Sequence, residues 1–144
     1  SNLPTIKPPN HQTIKLSNHT NYQTILNTMT KAAKSVYYFG FYLFVLGLTL
    51  IVAPNMLLSM FGFEATEEVW IRVLGSVVFT IGIYYTFTAP SNNETFFKAT
   101  IYSRSSILLW FALFVLMGWT KPNLLLFAGI DVLGAFWTWS AMRK

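Results

Sequence analysis

Long apolar stretches separated by short polar breaks run through most of this chain. Four stretches, at about 36–53, 67–89, 96–118 and 123–142, are each long enough to cross the hydrocarbon of a bilayer as an α-helix, about 30 Å. Consecutive crossings joined by short connections run in opposite directions. The pattern therefore predicts an all-α membrane protein, an antiparallel four-transmembrane-helix bundle.

The connection after the first stretch has a pattern of its own. Pro54 ends the first span and stands where proline opens a new helix, and the apolar segment 55–61 is closed by Gly62. This predicts a short interfacial helix. Thr66 then reads as the N-cap of the second span, with Glu67 and Glu68 in the first helical turn.

The N-terminal segment differs from the rest. Residues 1–34 contain no acidic residue, have no helical or strand periodicity, and include Pro4, Pro8 and Pro9. This composition is typical of an extended or disordered tail, and it predicts two parts: a polar tail at 1–34 and a membrane domain at 35–144. Segments of this kind often order on a partner, so the tail is a candidate partner-binding element.

Charge is sparse and placed at the span ends. Charged residues are 10% of the chain, against about 25% in soluble domains, and hydrophobic residues are 53%. The positive-inside rule places both termini on the cytoplasmic side of a bacterial inner membrane, or the matrix or stromal side of an organellar one. The flanking cations on that side are Lys31, Lys34, Lys98, Arg143 and Lys144; Lys121 lies on the other.

The positions of tyrosine and tryptophan agree with the same predicted span ends. They cluster near the predicted ends of the spans, where such side chains anchor a protein at the lipid interface. The inner group is Tyr37, Tyr38, Tyr84, Tyr85, Trp137 and Trp139, and the outer group is Trp70 and Trp119.

Composition also excludes several chemistries. The chain has no cysteine, and its two histidines, His11 and His19, lie in the tail, so the membrane domain has no residue for haem ligation, thiolate chemistry or histidine base catalysis. The acidic residues Glu64, Glu67 and Glu68 form a weak candidate metal site that helix capping explains as well. We therefore expect no catalytic residue, cofactor or metal. The net charge of +5 comes mostly from cations that flank the spans, as at a membrane surface, so it does not indicate binding to nucleic acid.

Glycines at heptad spacing predict close helix packing. Gly40 and Gly47 lie on one face of the first span, and Gly75 and Gly82 on one face of the second. Gly134 lies on a small-residue face of the fourth. A glycine-lined ligand cavity is the alternative reading of the same pattern.

Three charges lie inside the predicted spans: Arg72, Arg104 and Asp131. Each costs about 2.5–3.5 kcal/mol near mid-helix, so we expect all three to face inward. The sequence predicts a network in which Asp131 bridges one or both arginines. The network is either a structural ion pair that fixes helix register, or a site for proton relay or for a bound anion.

Four segments carry a resemblance to a known family. They are APNMLLSMFGF (53–63), VWIRVLGSVVFTIGIYY (69–85), YSRSS around Arg104, and FAGIDVLGAFWTWSAMR (127–143). Over about 29–144 the chain resembles small bacterial-type four-span membrane proteins, broadly the DoxX-like group. The resemblance implies that Arg72, Gly75, Arg104, Asp131 and Gly134 are family-type positions, and it suggests a link to quinone-dependent redox chemistry.

Three functions are compatible with these patterns. The first is a non-catalytic accessory or structural subunit of a larger membrane complex, bound to the bilayer and to other subunits. The second is a small carrier or receptor for a lipophilic or anionic ligand, or a proton-linked transporter, using Arg72, Arg104 and Asp131; it requires a cavity of a few hundred Å³ beside them. The third is a quinone-associated redox accessory protein.

Overall fold

A computed structural model describes Thr24 and residues 28–143 of the chain. Its elements are α1 (Lys31–Val52), α2 (Pro54–Met60), α3 (Val69–Thr88), a 3-10 turn (Ala89–Ser91), α4 (Glu94–Leu116) and α5 (Leu124–Met142). Four of these helices are long and apolar enough to cross a membrane. The predicted all-α membrane bundle is confirmed, and the protein is an integral membrane protein.

Local capping explains where the helices begin. The Thr30 side chain accepts a hydrogen bond from Ala33 N at 3.1 Å, so α1 begins at Lys31, five residues before the predicted start of the first span. Asn93 caps α4 in the same way, accepting from Phe96 N at 3.1 Å. The extended tail and its partner-binding role concern residues that lie mostly outside the described part of the chain.

The start of the second long helix differs from the prediction. α3 begins at Val69, so Glu67 and Glu68 precede it instead of lying in its first turn. Thr66 Oγ1 accepts from Glu68 N at 3.1 Å, which forms a local turn before the helix. Hydroxyl side chains stabilise such turns as readily as they cap helices, and this explains the shift.

The short helix α2 forms where Pro54 predicts it, with proline at its first position. Two side chains of the α4–α5 connection hold the end of α2. Asn123 Nδ2 donates to Phe61 O at 2.8 Å, and Lys121 Nζ donates to Gly62 O at 3.3 Å. We call this end of the bundle the outer end, and the end at which α1 begins and α5 ends the inner end.

The helices do not pack equally on one another. α3 packs along α1, α4 packs along α5, and α1 also contacts α5, so α1 and α5 lie at the centre. α3 and α4 follow one another in the chain but make few direct contacts along their lengths. The bundle is therefore open along the side between α3 and α4.

Candidate functional site

Glycines bring α1 and α3 into contact at two levels. A Cβ atom added to Gly47 would lie 2.7 Å from Phe79 N and 2.8 Å from Gly75 O, and one added to Gly82 would lie 3.0 Å from Gly40 O. Gly40 thus faces Gly82, and Gly47 faces Gly75. Because no side chain separates the backbones there, α3 is held on α1 and away from α4.

A cavity of about 410 Å³ occupies the space that α3 and α4 leave open. Apolar side chains from all five helices form most of its wall. The outer end is covered by Leu57, Leu58 and Phe63, whereas the polar groups on the wall are Tyr42, Tyr85, Ser103, Arg104 and Asp131. The cavity is thus apolar toward the outer end and carries two charged residues.

Those two charged residues lie at a similar depth. Arg104 is about 15 Å along α4 from Glu94, and Asp131 is about 16 Å along α5 from Met142, both measured from the inner end. α4 and α5 pack on each other, so the two side chains reach the cavity from adjacent helices.

Arg104 is the largest fully buried side chain in the described part of the chain, 1% exposed. Its guanidinium carbon lies 3.9 Å from the centre of the Phe39 ring and 5.1 Å from that of Tyr85. Nη1 donates to Thr138 Oγ1 at 3.4 Å, but Nε and Nη2 have no hydrogen-bond acceptor. The charge is stabilised by aromatic faces, and two of its donor atoms are unsatisfied.

Gly134 makes room for this arrangement. A Cβ atom there would lie 2.8 Å from the Phe39 ring and 3.1 Å from Arg104 Nη1. One turn along α5, the Thr138 hydroxyl lies 2.9 Å from that of Ser35 on α1. A buried polar chain thus connects α4, α5 and α1 at the inner end of the cavity.

The predicted network of three charges is not formed. The ion pairs within 4.0 Å among the described residues are Lys98–Glu94 and Lys121–Glu64, both on the surface. Arg104 and Asp131 line one cavity without forming such a pair. The sequence placed both in the bundle interior, but it could not specify that aromatic rings, and not a carboxylate, surround the guanidinium.

Arg72 lies elsewhere, and the prediction that it faces the packed interior is wrong. It is in the first turn of α3 and exposed, and its Nη1 donates to Ile51 O and, at 3.5 Å, to Val52 O. These carbonyls end α1, where no next turn supplies N–H donors and where the helix dipole favours a cation. Arg72 is therefore a cap for α1 at the outer end.

The site includes residues that sequence reasoning missed. Tyr85 was predicted to be an interface anchor but is buried against Arg104, and Phe39 had no distinguishing feature among the many phenylalanines. For Ser35 and Thr138 a signal existed, because both are hydroxyl residues within apolar helices. The sequence alone could not indicate that these two residues, 103 positions apart, form a hydrogen bond with each other.

The candidate metal cluster receives no support. Among the described residues, no group of three or more histidine, cysteine, aspartate or glutamate side chains is placed to hold a metal ion.

No family model, curated protein or solved structure matches the chain.

Proposed function

We propose that this protein is a non-catalytic membrane carrier or receptor that binds a lipophilic ligand in the cavity between α3 and α4. One observation carries the proposal. A largely apolar cavity of about 410 Å³ contains, at mid-membrane depth, a buried arginine with two unsatisfied donor atoms.

Size and chemistry both favour a ligand site. Small-molecule pockets measure about 300–1,000 Å³ and combine apolar walls with a few polar groups that orient the ligand. Each unsatisfied buried donor costs about 1–3 kcal/mol, and more when it belongs to a charged group. An acceptor atom on a bound ligand removes that cost, and this contributes favourably to the free energy of binding.

The open side indicates how a ligand enters. Because α3 and α4 do not pack closely, the cavity wall is incomplete along the side that would face lipid. A ligand dissolved in the bilayer then enters the cavity without crossing water. This route favours a lipophilic molecule over a water-soluble anion.

The other hypotheses remain predictions. An accessory subunit requires a partner surface, and the tail proposed for it lies mostly outside the described residues. Proton-linked transport, and the quinone-linked role implied by the DoxX-like resemblance, use the same Arg104 and Asp131 and would appear as additional activities of the same cavity.

Photolabelling in proteoliposomes tests the proposal. Two probes with a diazirine in the alkyl tail, a long-chain alcohol and a long-chain fatty acid, are each cross-linked with and without an excess of the unlabelled compound. We expect at least one probe to label residues such as Leu46, Val78 and Phe111 in a saturable way, since these line the cavity. Labelling of lipid-facing residues would not saturate.

Two tryptophan substitutions on α4 provide the matched comparison. Ile107→Trp places an indole ring inside the cavity and narrows it, whereas Leu109→Trp adds the same ring to a position that is 69% exposed outside it. We expect saturable labelling to be lost in the first variant and kept in the second. If neither probe labels the wild-type protein saturably, or if Ile107→Trp labels like wild type, the protein does not bind lipophilic ligands at this site.

A further inference from the structure

The two charges of the cavity have opposite sign, share its wall and do not meet. Arg104 Nε and Nη2 have no acceptor, and within the described residues no hydrogen bond or ion pair within 4.0 Å reaches the Asp131 carboxylate. The other side chains that line the cavity are uncharged. The cavity wall thus contains a buried donor group and an acceptor group, neither of which has a partner of opposite charge within 4.0 Å in the described part of the chain.

The presence of both charges in one cavity restricts the head group of a ligand. With Asp131 ionised, the two charges cancel, so an anionic head would leave an uncompensated negative charge and a cationic head an uncompensated positive one. Either is costly in a medium of low dielectric constant. An uncharged head with both an acceptor and a donor satisfies both groups and leaves the net charge unchanged.

We propose that the ligand is an uncharged single-chain amphiphile whose head is a hydroxyl-bearing group, such as a glycerol ester. Its hydroxyl oxygen accepts a hydrogen bond from Arg104, and its hydroxyl group donates a hydrogen bond to the Asp131 carboxylate. Its alkyl chain runs along the apolar wall toward Leu57, Leu58 and Phe63. A volume near the lower end of the range for ligand pockets favours one chain over two. This inference rests on the proposed function and specifies its ligand class.

Competition against the diazirine alcohol tests the head group. Three competitors share an alkyl chain of similar length: monomyristoylglycerol, tetradecyl sulfate with a permanently ionised head, and tetradecane with no head. We expect half-maximal competition by monomyristoylglycerol at a concentration about tenfold or more below those of the other two. A tenfold ratio corresponds to about 1.4 kcal/mol, close to the lower end of the range for one hydrogen bond to a charged group.

Neutralising one charge changes the selectivity in a predictable direction. Asp131→Asn leaves Arg104 uncompensated, so tetradecyl sulfate becomes the better competitor, a shift of about tenfold or more in the ratio of the two head groups. Arg104→Gln leaves Asp131 uncompensated, so tetradecyl sulfate competes less well than in wild type. Opposite shifts in two variants cannot come from a general loss of folding. Gly129→Ala on α5, where an added Cβ atom meets nothing within 4 Å, serves as the control and keeps the wild-type order.

The outcomes separate the two proposals. If no probe labels saturably, the proposed function fails. If the fatty-acid probe alone labels saturably, if tetradecyl sulfate or tetradecane competes as well as monomyristoylglycerol in wild type, or if Asp131→Asn keeps the wild-type order, the cavity binds lipophilic ligands but the head-group inference is wrong.

Discussion

Arg104 is held by weak contacts for a buried charge. A guanidinium has five N–H donors; here Nη1 reaches Thr138, while the rings of Phe39 and Tyr85 supply cation–π attraction of about 0.5–2 kcal/mol. Two unsatisfied donor atoms cost at least about as much. Under the proposed function, stability and ligand binding have opposite requirements at this position.

Arg104→Met tests this balance. Methionine is unbranched and fills irregular space without a polar group, so it removes the two unsatisfied donor atoms, and this gain offsets the cost of leaving Asp131 without a compensating positive charge. We expect the free energy of unfolding in detergent to stay within about 1 kcal/mol of wild type or to rise, while saturable labelling is lost. A loss of stability of several kcal/mol would instead assign Arg104 a structural role.

At the scale of elements, α1 and α3 form a unit through two glycine pairs. The contact distances at Gly47 are to backbone atoms of α3, which cannot move away as a flexible side chain would. Without close packing there, α3 would sit farther from α1, and the gap toward α4 would narrow. The glycine pairs therefore shape the cavity without lining it.

Gly47→Ala and Gly129→Ala separate packing from helix propensity. The first adds a Cβ atom 2.7 Å from Phe79 N, so we expect a loss of about 1–3 kcal/mol in unfolding free energy. The second adds the same atom to open space on α5, where alanine is the better helix former, so we expect no change or a gain of up to about 1 kcal/mol. Equal effects in thermal unfolding would exclude backbone contact as the reason for the glycine at 47.

At the scale of the whole molecule, four crossings place the start of α1 and the end of α5 on the same side of the membrane. The turn between α3 and α4 lies on that inner side, and the α4–α5 connection lies on the outer side with α2. The excess of Lys and Arg at the inner end predicts that this end faces the cytoplasm or its equivalent.

Single cysteines test this orientation, because the chain has none of its own. In intact bacterial cells expressing the protein, a membrane-impermeant maleimide is expected to react with Thr120→Cys and not with Ser91→Cys; after lysis both react. Labelling of Ser91→Cys alone in intact cells would reverse the orientation, and labelling of both would contradict a four-span topology.

The order of apolar and polar residues alone determined the number of helices, the turn at Pro54 and the presence of Arg104 and Asp131 in the interior. These follow from the length of hydrocarbon that a helix must cross and from the cost of charge within it. The spacing of the glycines also indicated which faces approach closely.

The tertiary structure alone decided what surrounds each charge. Arg72 and Arg104 look alike in sequence, yet one caps the end of α1 and the other is buried between aromatic rings. The difference depends on which helices are neighbours: α3 packs on α1 instead of on α4, although it precedes α4 in the chain. Helix neighbours in a membrane are chosen by shape and close backbone approach across many turns, which a periodic apolar pattern does not encode. The cavity, and with it the proposed function, is a consequence of that choice.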